Sequence, residues 1–166
     1  MFLSGYGPVL LEGTWMTIQL ALLSLLLSIM IGLVGASSKL SSLKIVRYVA
    51  TAYTTLIRSV PDLVIMLLLF YSLQLGLNSI TESLQMEQID INPFVAGVIT
   101  LAFIYGAYFT ETFRGAFQAV PKGQIEAAYA YGMTSFQVFR RVLFPQMMRF
   151  ALPGIGNNWQ VLIKAT

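Results

Sequence analysis

Along the chain, apolar and polar positions fall into long uncharged runs separated by short polar connections. Residues 13–38 carry no charge. The stretch 14–37, at about 1.5 Å per residue, can cross a hydrocarbon layer about 30 Å thick. A second apolar run opens behind Pro61, acceptable in the first turn of a helix, and predicts a span over 60–78. The third follows Pro93; residues 91–110 are uncharged, which predicts a span over 93–113. After Pro145 an apolar stretch interrupted by Pro153, Gly154 and Gly156 reads as the start of a fourth span at 151–166. Broken helices at membrane depth face a cavity or neighbouring protein, because their freed backbone groups need partners. The expected fold class is all-α: one polytopic transmembrane helical bundle, with about three complete spans plus the start of a fourth.

Composition agrees with this pattern. The chain is 57% hydrophobic and 10% charged, whereas soluble domains carry about 25% charged residues. The positions of Lys and Arg add an orientation. Lys39, Lys44, Arg47 and Arg58 form one group, and Arg114, Lys122, Arg140, Arg141, Arg149 and Lys164 the other. The acidic residues Glu82, Glu87 and Asp90 of the 78–92 connection have no basic company. Lys and Arg are kept on the cytoplasmic side, so 39–58 and 114–149 are expected inside, and the N-terminus and 78–92 outside. A cleaved leader is disfavoured, because the positive charges follow the first apolar run instead of preceding it. Residues 46–57 suggest an amphipathic interfacial helix within the first inner connection. With neither cysteine nor histidine, thiol chemistry is absent, the common transition-metal ligands are missing and no metal site is expected.

The inner segment 121–145 has the most legible local grammar. Residues 124–131 favour helix, with Ile125, Ala128 and Gly132 on one face. Gly132 stands where a helix ends in a left-handed residue. Thr134 and Gln137 have the spacing of a capping box for a second helix, which carries Phe136, Phe139, Arg140 and Arg141 until Pro145 forbids continuation in register. Helix, glycine turn and helix also describe a DNA-binding motif. A module tethered on both sides by membrane-length segments cannot track a DNA groove, so no nucleic-acid partner is expected.

Glu126-Ala127-Ala128, then Gly132, then Phe144-Pro145 resembles the EAA loop of binding-protein-dependent ABC importer permeases. The approach through Glu111–Gly115 and 120–124, together with the stretches around Tyr53 and over 151–166, is similar to the polar amino-acid branch of that family, in particular its Q-type membrane subunits. The resemblance covers nearly the whole chain. It implies a bacterial inner-membrane transport subunit for histidine, lysine, arginine or ornithine, without an ATPase site of its own. It also implies a chain truncated at its C-terminal end. The implied partners are a cytoplasmic ABC ATPase subunit, a second permease subunit in a heterodimer, and a periplasmic amino-acid-binding protein, besides membrane lipid. ATP and Mg²⁺ would be used by the ATPase, with no cofactor bound here. Gly123, Glu126, Ala127, Ala128, Gly132 and Pro145 would form the coupling loop, within 114–149.

Five residues are candidates for a pathway or gate: Asp62, Glu111, Asn157, Asn158 and Lys164. None is a catalytic group. Asp62 begins a spanning helix, where interaction with the positive helix terminus or with Arg58 is the plainer reading and a gate for a cation the sharper one. Glu111 and Arg114 have the spacing of an ion pair at the water boundary. Lys164 lies deep enough that it should face protein or water. Tyr105, Tyr108 and Phe109 suit packing better than a pathway lining. Gly32 and Gly35 suit close helix packing. The alternative function is a gradient-driven channel or secondary carrier, which needs ion-coupling charges inside the membrane; a structural scaffold leaves the ordered loop unexplained.

Overall fold

The computed structural model describes residues 6–83 and 90–166, and among these residues every regular element is helical. Three helices are long and apolar enough to cross a membrane: α1 (Gly7–Leu40), α3 (Asp62–Ser83) and α4 (Pro93–Ala119). Between the first two lies α2 (Lys44–Ser59). After α4 come α5 (Lys122–Ala130), α6 (Ser135–Val138), a π turn (Phe139–Leu143) and α7 (Phe144–Ala165).

Helix α4 is the axis of the molecule, packed by α1, α2, α3 and α7. Its residues Ile104, Ala107, Phe109 and Thr110 are fully enclosed. Its start is fixed locally: Pro93 occupies the first turn, and the Asn92 side chain accepts from the Phe94 amide at 2.9 Å. Helix α1 presents one narrow stripe of small residues to it, Ala21, Ser24, Ser28, Gly32 and Ala36, and leaves Leu22, Leu26, Met30 and Val34 outward. Outward apolar residues cost nothing in lipid. Association inside a bilayer instead rests on close van der Waals packing, which small residues permit. Gly32 lies against Phe109, where an added Cβ would stand 2.5 Å from the Phe109 Cβ, and Gly35 lies directly on Thr110. The contacts Gly97 to Leu20, Gly106 to Ile31 and Phe109 to Gly32 ascend both helices in the same order, so α1 and α4 run parallel.

Three boundaries differ from expectation. Helix α3 continues through Asn78 to Ser83 in place of ending at an acidic loop. Gln74 donates to Asn78 at 2.9 Å and accepts from the Ile91 amide at 2.9 Å, so polar residues at this end are used within the helix and to anchor the start of the next. The part of that expected loop at 84–89, with Glu87, lies outside the described residues.

Pro145 does not end its helix. The Phe144 amide donates to the Phe139 carbonyl, five residues back, and this widened turn carries the chain past the proline ring, which in a regular α turn presses on the carbonyl four residues before it. The fourth segment is likewise not broken at Pro153, Gly154 and Gly156, and begins at Phe144, ahead of the expected 151. Its glycine has a packing role: an added Cβ at Gly154 would stand 2.6 Å from Thr112 Cγ2 on α4. Met147, Ala151 and Leu162 are buried on the same helix.

Candidate coupling loop and intramembrane polar network

The loop between α4 and α7 is built by short-range rules. Helix α5 stops at a Schellman turn: the Gly132 amide donates to the Tyr129 carbonyl at 2.9 Å and the Met133 amide to the Ala128 carbonyl at 3.2 Å, with Gly132 at φ +76°. The next helix starts immediately. Gln137 N–H donates to the Thr134 hydroxyl at 3.4 Å, and Thr134 N–H donates to Gln137 Oε1 at 2.9 Å, completing the capping box. Ala128 and Val138 are buried, which fixes the two short helices against their surroundings. Outward, Tyr131 is 87% and Phe136 69% exposed. Around them Gly123, Glu126, Ala127, Arg140, Arg141 and Pro145 are also exposed. A rigid, solvent-facing platform of aromatic and charged side chains is suited to docking a protein.

A second polar cluster lies within the bundle. Glu111 on α4 accepts from Lys39 of α1, and its other oxygen accepts from Arg114 Nε at 2.9 Å and pairs with Arg114 Nη2 at 2.7 Å. Lys39 also donates to the Thr54 hydroxyl of α2 at 2.8 Å. The Lys39 and Glu111 side chains are only 11% and 16% exposed, so three helices are tied by one largely enclosed network. Pairing on both oxygens offsets the desolvation that burying a carboxylate entails. A polar cleft of about 430 Å³ adjoins it, lined by Thr55, Arg58 and Ser59 as well.

Asp62 sits in the first turn of α3 and accepts from the Tyr108 hydroxyl at 2.8 Å. Among the described residues no ion pair joins Asp62 to Arg58. The guanidinium carbon of Arg58 instead stands 5.5 Å from the Tyr108 ring centroid, so the tyrosine mediates between the two charges. Tyr53 of α2 donates to the Phe103 carbonyl of α4.

These features have known counterparts. Residues 24–166 match the model of the binding-protein-dependent transport system inner membrane component. The chain belongs to that family. It is an ABC importer permease, a multi-pass transport component of the inner membrane. It is 63% identical to the histidine/lysine/arginine/ornithine transport system permease protein HisQ of Salmonella typhimurium over 99% of this chain and 72% of that protein. It is 34% identical to the arginine ABC transporter permease protein ArtQ of Escherichia coli, over 91% of this chain and 69% of the relative. A crystal structure of an amino acid ABC transporter with histidines superposes with a TM-score of 0.75 at 35% identity, covering 96% of this chain and 70% of that one.

In this permease the sequence candidates fall into separate places. Gly123, Glu126, Ala127, Ala128 and Gly132 gather on α5 and its turn, with Pro145 beyond the π turn. Glu111 is joined to Arg114 as its spacing suggests, and also to Lys39, which in turn donates to Thr54; these last two contacts sequence reasoning missed. Lys39, the first charge after a long uncharged helix, was the available signal. Asn158 donates to Thr112 at 3.0 Å and so holds α7 on α4, while Asn157 and Lys164 are exposed. Tyr105 and Phe109 are core residues at 2% and 0% exposure, in keeping with packing.

Proposed function

We propose that this permease subunit moves basic amino acids, namely histidine, lysine, arginine and ornithine, delivered by a periplasmic amino-acid-binding protein, as one half of a heteromeric pore with a second permease subunit. The observation that carries the reading is the 63% identity to HisQ over 99% of the chain. ATP with Mg²⁺ is hydrolysed on a separate ABC ATPase subunit that docks on α5 and α6; this chain binds no cofactor and contains no phosphate loop of its own. The N-terminus faces the periplasm and the α5–α6 platform the cytoplasm. Closure of the ATPase displaces the platform. The rigid Schellman turn and capping box pass that displacement to α7, and the Thr112 contacts with Gly154 and Asn158 pass it to α4.

The gradient-driven alternative needs free intramembrane charges. Of the three candidates, Asp62, Glu111 and Lys164, Glu111 is already engaged by two cations and Asp62 by a tyrosine hydroxyl, which favours the ATP-driven reading, while Lys164 is exposed near the end of α7. The test is uptake of radiolabelled basic amino acids into vesicles carrying the complete set of subunits. Uptake that requires internal ATP and the binding protein is expected. Uptake driven by an ion gradient in the absence of ATP would overturn the proposal.

A further inference from the structure

Helices α1 and α4 are already locked by the small-residue seam, with Gly32 against Phe109 and Gly35 on Thr110. Lys39 and Glu111 meet immediately beyond that seam, toward the end of α4 from which the platform departs. Taking a lysine and a carboxylate out of water is no cheaper than packing apolar side chains in their place, so holding α1 on α4 does not account for a charged tie here. The second bond of Lys39 does. The same ammonium donates to Glu111 of α4 and, at 2.8 Å, to the Thr54 hydroxyl of α2. Thr54 is 2% exposed and lies on α2 with Ala50 and Ile57, which are also buried. Only Val60 and Pro61 separate α2 from α3, so a displacement of α2 is a displacement of the start of a spanning helix.

On its other side Glu111 holds Arg114, whose Nη1 donates to Gln118 at 3.0 Å in the last turn of α4. The buried Val120 and Pro121 are all that lies between α4 and α5. A largely enclosed ion pair is stiff, because pulling it apart strands two charges where water reaches them poorly. Lys39 therefore follows Glu111 when α4 moves, and Thr54 follows Lys39. We propose that Lys39 is a positioning residue for transport, tying α2 and the start of α3 to the end of α4 that the platform displaces. This rests on the ATP-driven reading above and extends its relay beyond α4. Without the ammonium, Glu111 keeps Arg114 and the platform keeps its shape, but α2 lags.

The test measures binding-protein-stimulated against unstimulated ATP hydrolysis, and uptake, by the complete set of subunits in vesicles at equal membrane abundance. Lys39→Met removes the charge and keeps an apolar stem. The ATPase subunit should stay bound, since α5 and α6 are untouched, while stimulation falls on the order of tenfold. Thr54→Val keeps the ion pair and the volume and removes only the bond to α2, so stimulation should fall in the same direction by less. The combination Lys39→Met/Glu111→Gln removes both enclosed charges. Its thermal stability should recover relative to Glu111→Gln alone, with stimulation still low. Recovery of stimulation together with stability would show that the pair only holds the fold, and would overturn the proposal. So would full stimulation in Lys39→Met or in Thr54→Val. Uptake without ATP by the unaltered complex would instead defeat the transport reading, so the two failures are distinguishable.

Discussion

Gly132 holds φ at +76°, and an added Cβ would meet nothing within 4 Å, so the penalty for replacing it is one of backbone conformation alone. A left-handed position costs an ordinary L-residue about 1–2 kcal/mol, with β-branched residues at the upper end, while Asn adopts it more readily. The expected order of local destabilisation is therefore Asn below Ala below Val. Gly132→Val should cost on the order of 1–3 kcal/mol. The cost is paid in a specific place, the amides of Gly132 and Met133 that close the turn on Tyr129 and Ala128. Gly123, in the same loop, supplies the control. It lies in the first turn of α5 in open space without a positive φ, so Gly123→Ala should favour its helix, by less than the roughly 0.8–1.0 kcal/mol of an interior position. The assay is hydrogen exchange at Met133 in the membrane-inserted protein, with membrane abundance and ATPase co-purification measured beside it. Abundance should stay normal for every variant, because the spanning helices do not depend on the turn. Loss of protection and of ATPase association with Val, and recovery of both with Asn, is expected. Equal behaviour of Asn and Val, or a fully coupled Val variant, would refute the conformational argument.

Four further outcomes are expected. Gly32→Val pushes a side chain into Phe109 and should separate α1 from α4, read as a lowered thermal transition of the detergent-purified protein, while Gly7→Val, in open space, should leave it unchanged. Glu111→Gln leaves Lys39 enclosed without its counter-charge and should cost about 3–5 kcal/mol, whereas Glu111→Gln combined with Lys39→Met should recover much of the loss in a double-mutant cycle. Tyr53→Phe removes a donor to the Phe103 carbonyl and should cost about 1 kcal/mol of stability with the α2–α4 packing retained. Single cysteines at Ser83 and Gln137 in this cysteine-free chain should react with an impermeant reagent from opposite sides of the membrane; labelling of both from the periplasm would invert part of the topology.

The loop was legible because its determinants are local. A glycine at the end of a helical run and a Thr with a Gln in capping position are decided within a few residues, and both devices stand where expected. The packing role of Gly32 and Gly35 was legible for a related reason: inside a membrane, small residues in a row have few other uses. What could not be read depends on partners far away in the chain. The charge topology already sets α1 and α4 parallel, but Lys39 meets Glu111 only because these two helices are neighbours and turn those residues toward each other, and no periodicity in either helix specifies that. The proline rule misled at Pro153, where packing on α4 holds the helix together, whereas before Pro145 the regular α ladder does give way, to a π turn that keeps the chain helical. Polar residues at 78–83 were read as loop because composition cannot see the side-chain bonds that keep them helical.

The π turn at Phe139–Leu143 acts as slack in the helix. It holds one residue more than the α turn it replaces, and the wider loop absorbs the surplus, with the Phe144 amide bonded to the Phe139 carbonyl where an ordinary α bond would stand. Deleting Val142 would turn that bond into a regular four-residue one, so Phe136 would keep its direction relative to Gly154 and Asn158 while the ring of Pro145 lost the room it now has. The surplus residue thus seats a proline in mid-helix without turning the platform away from the membrane segment it is joined to.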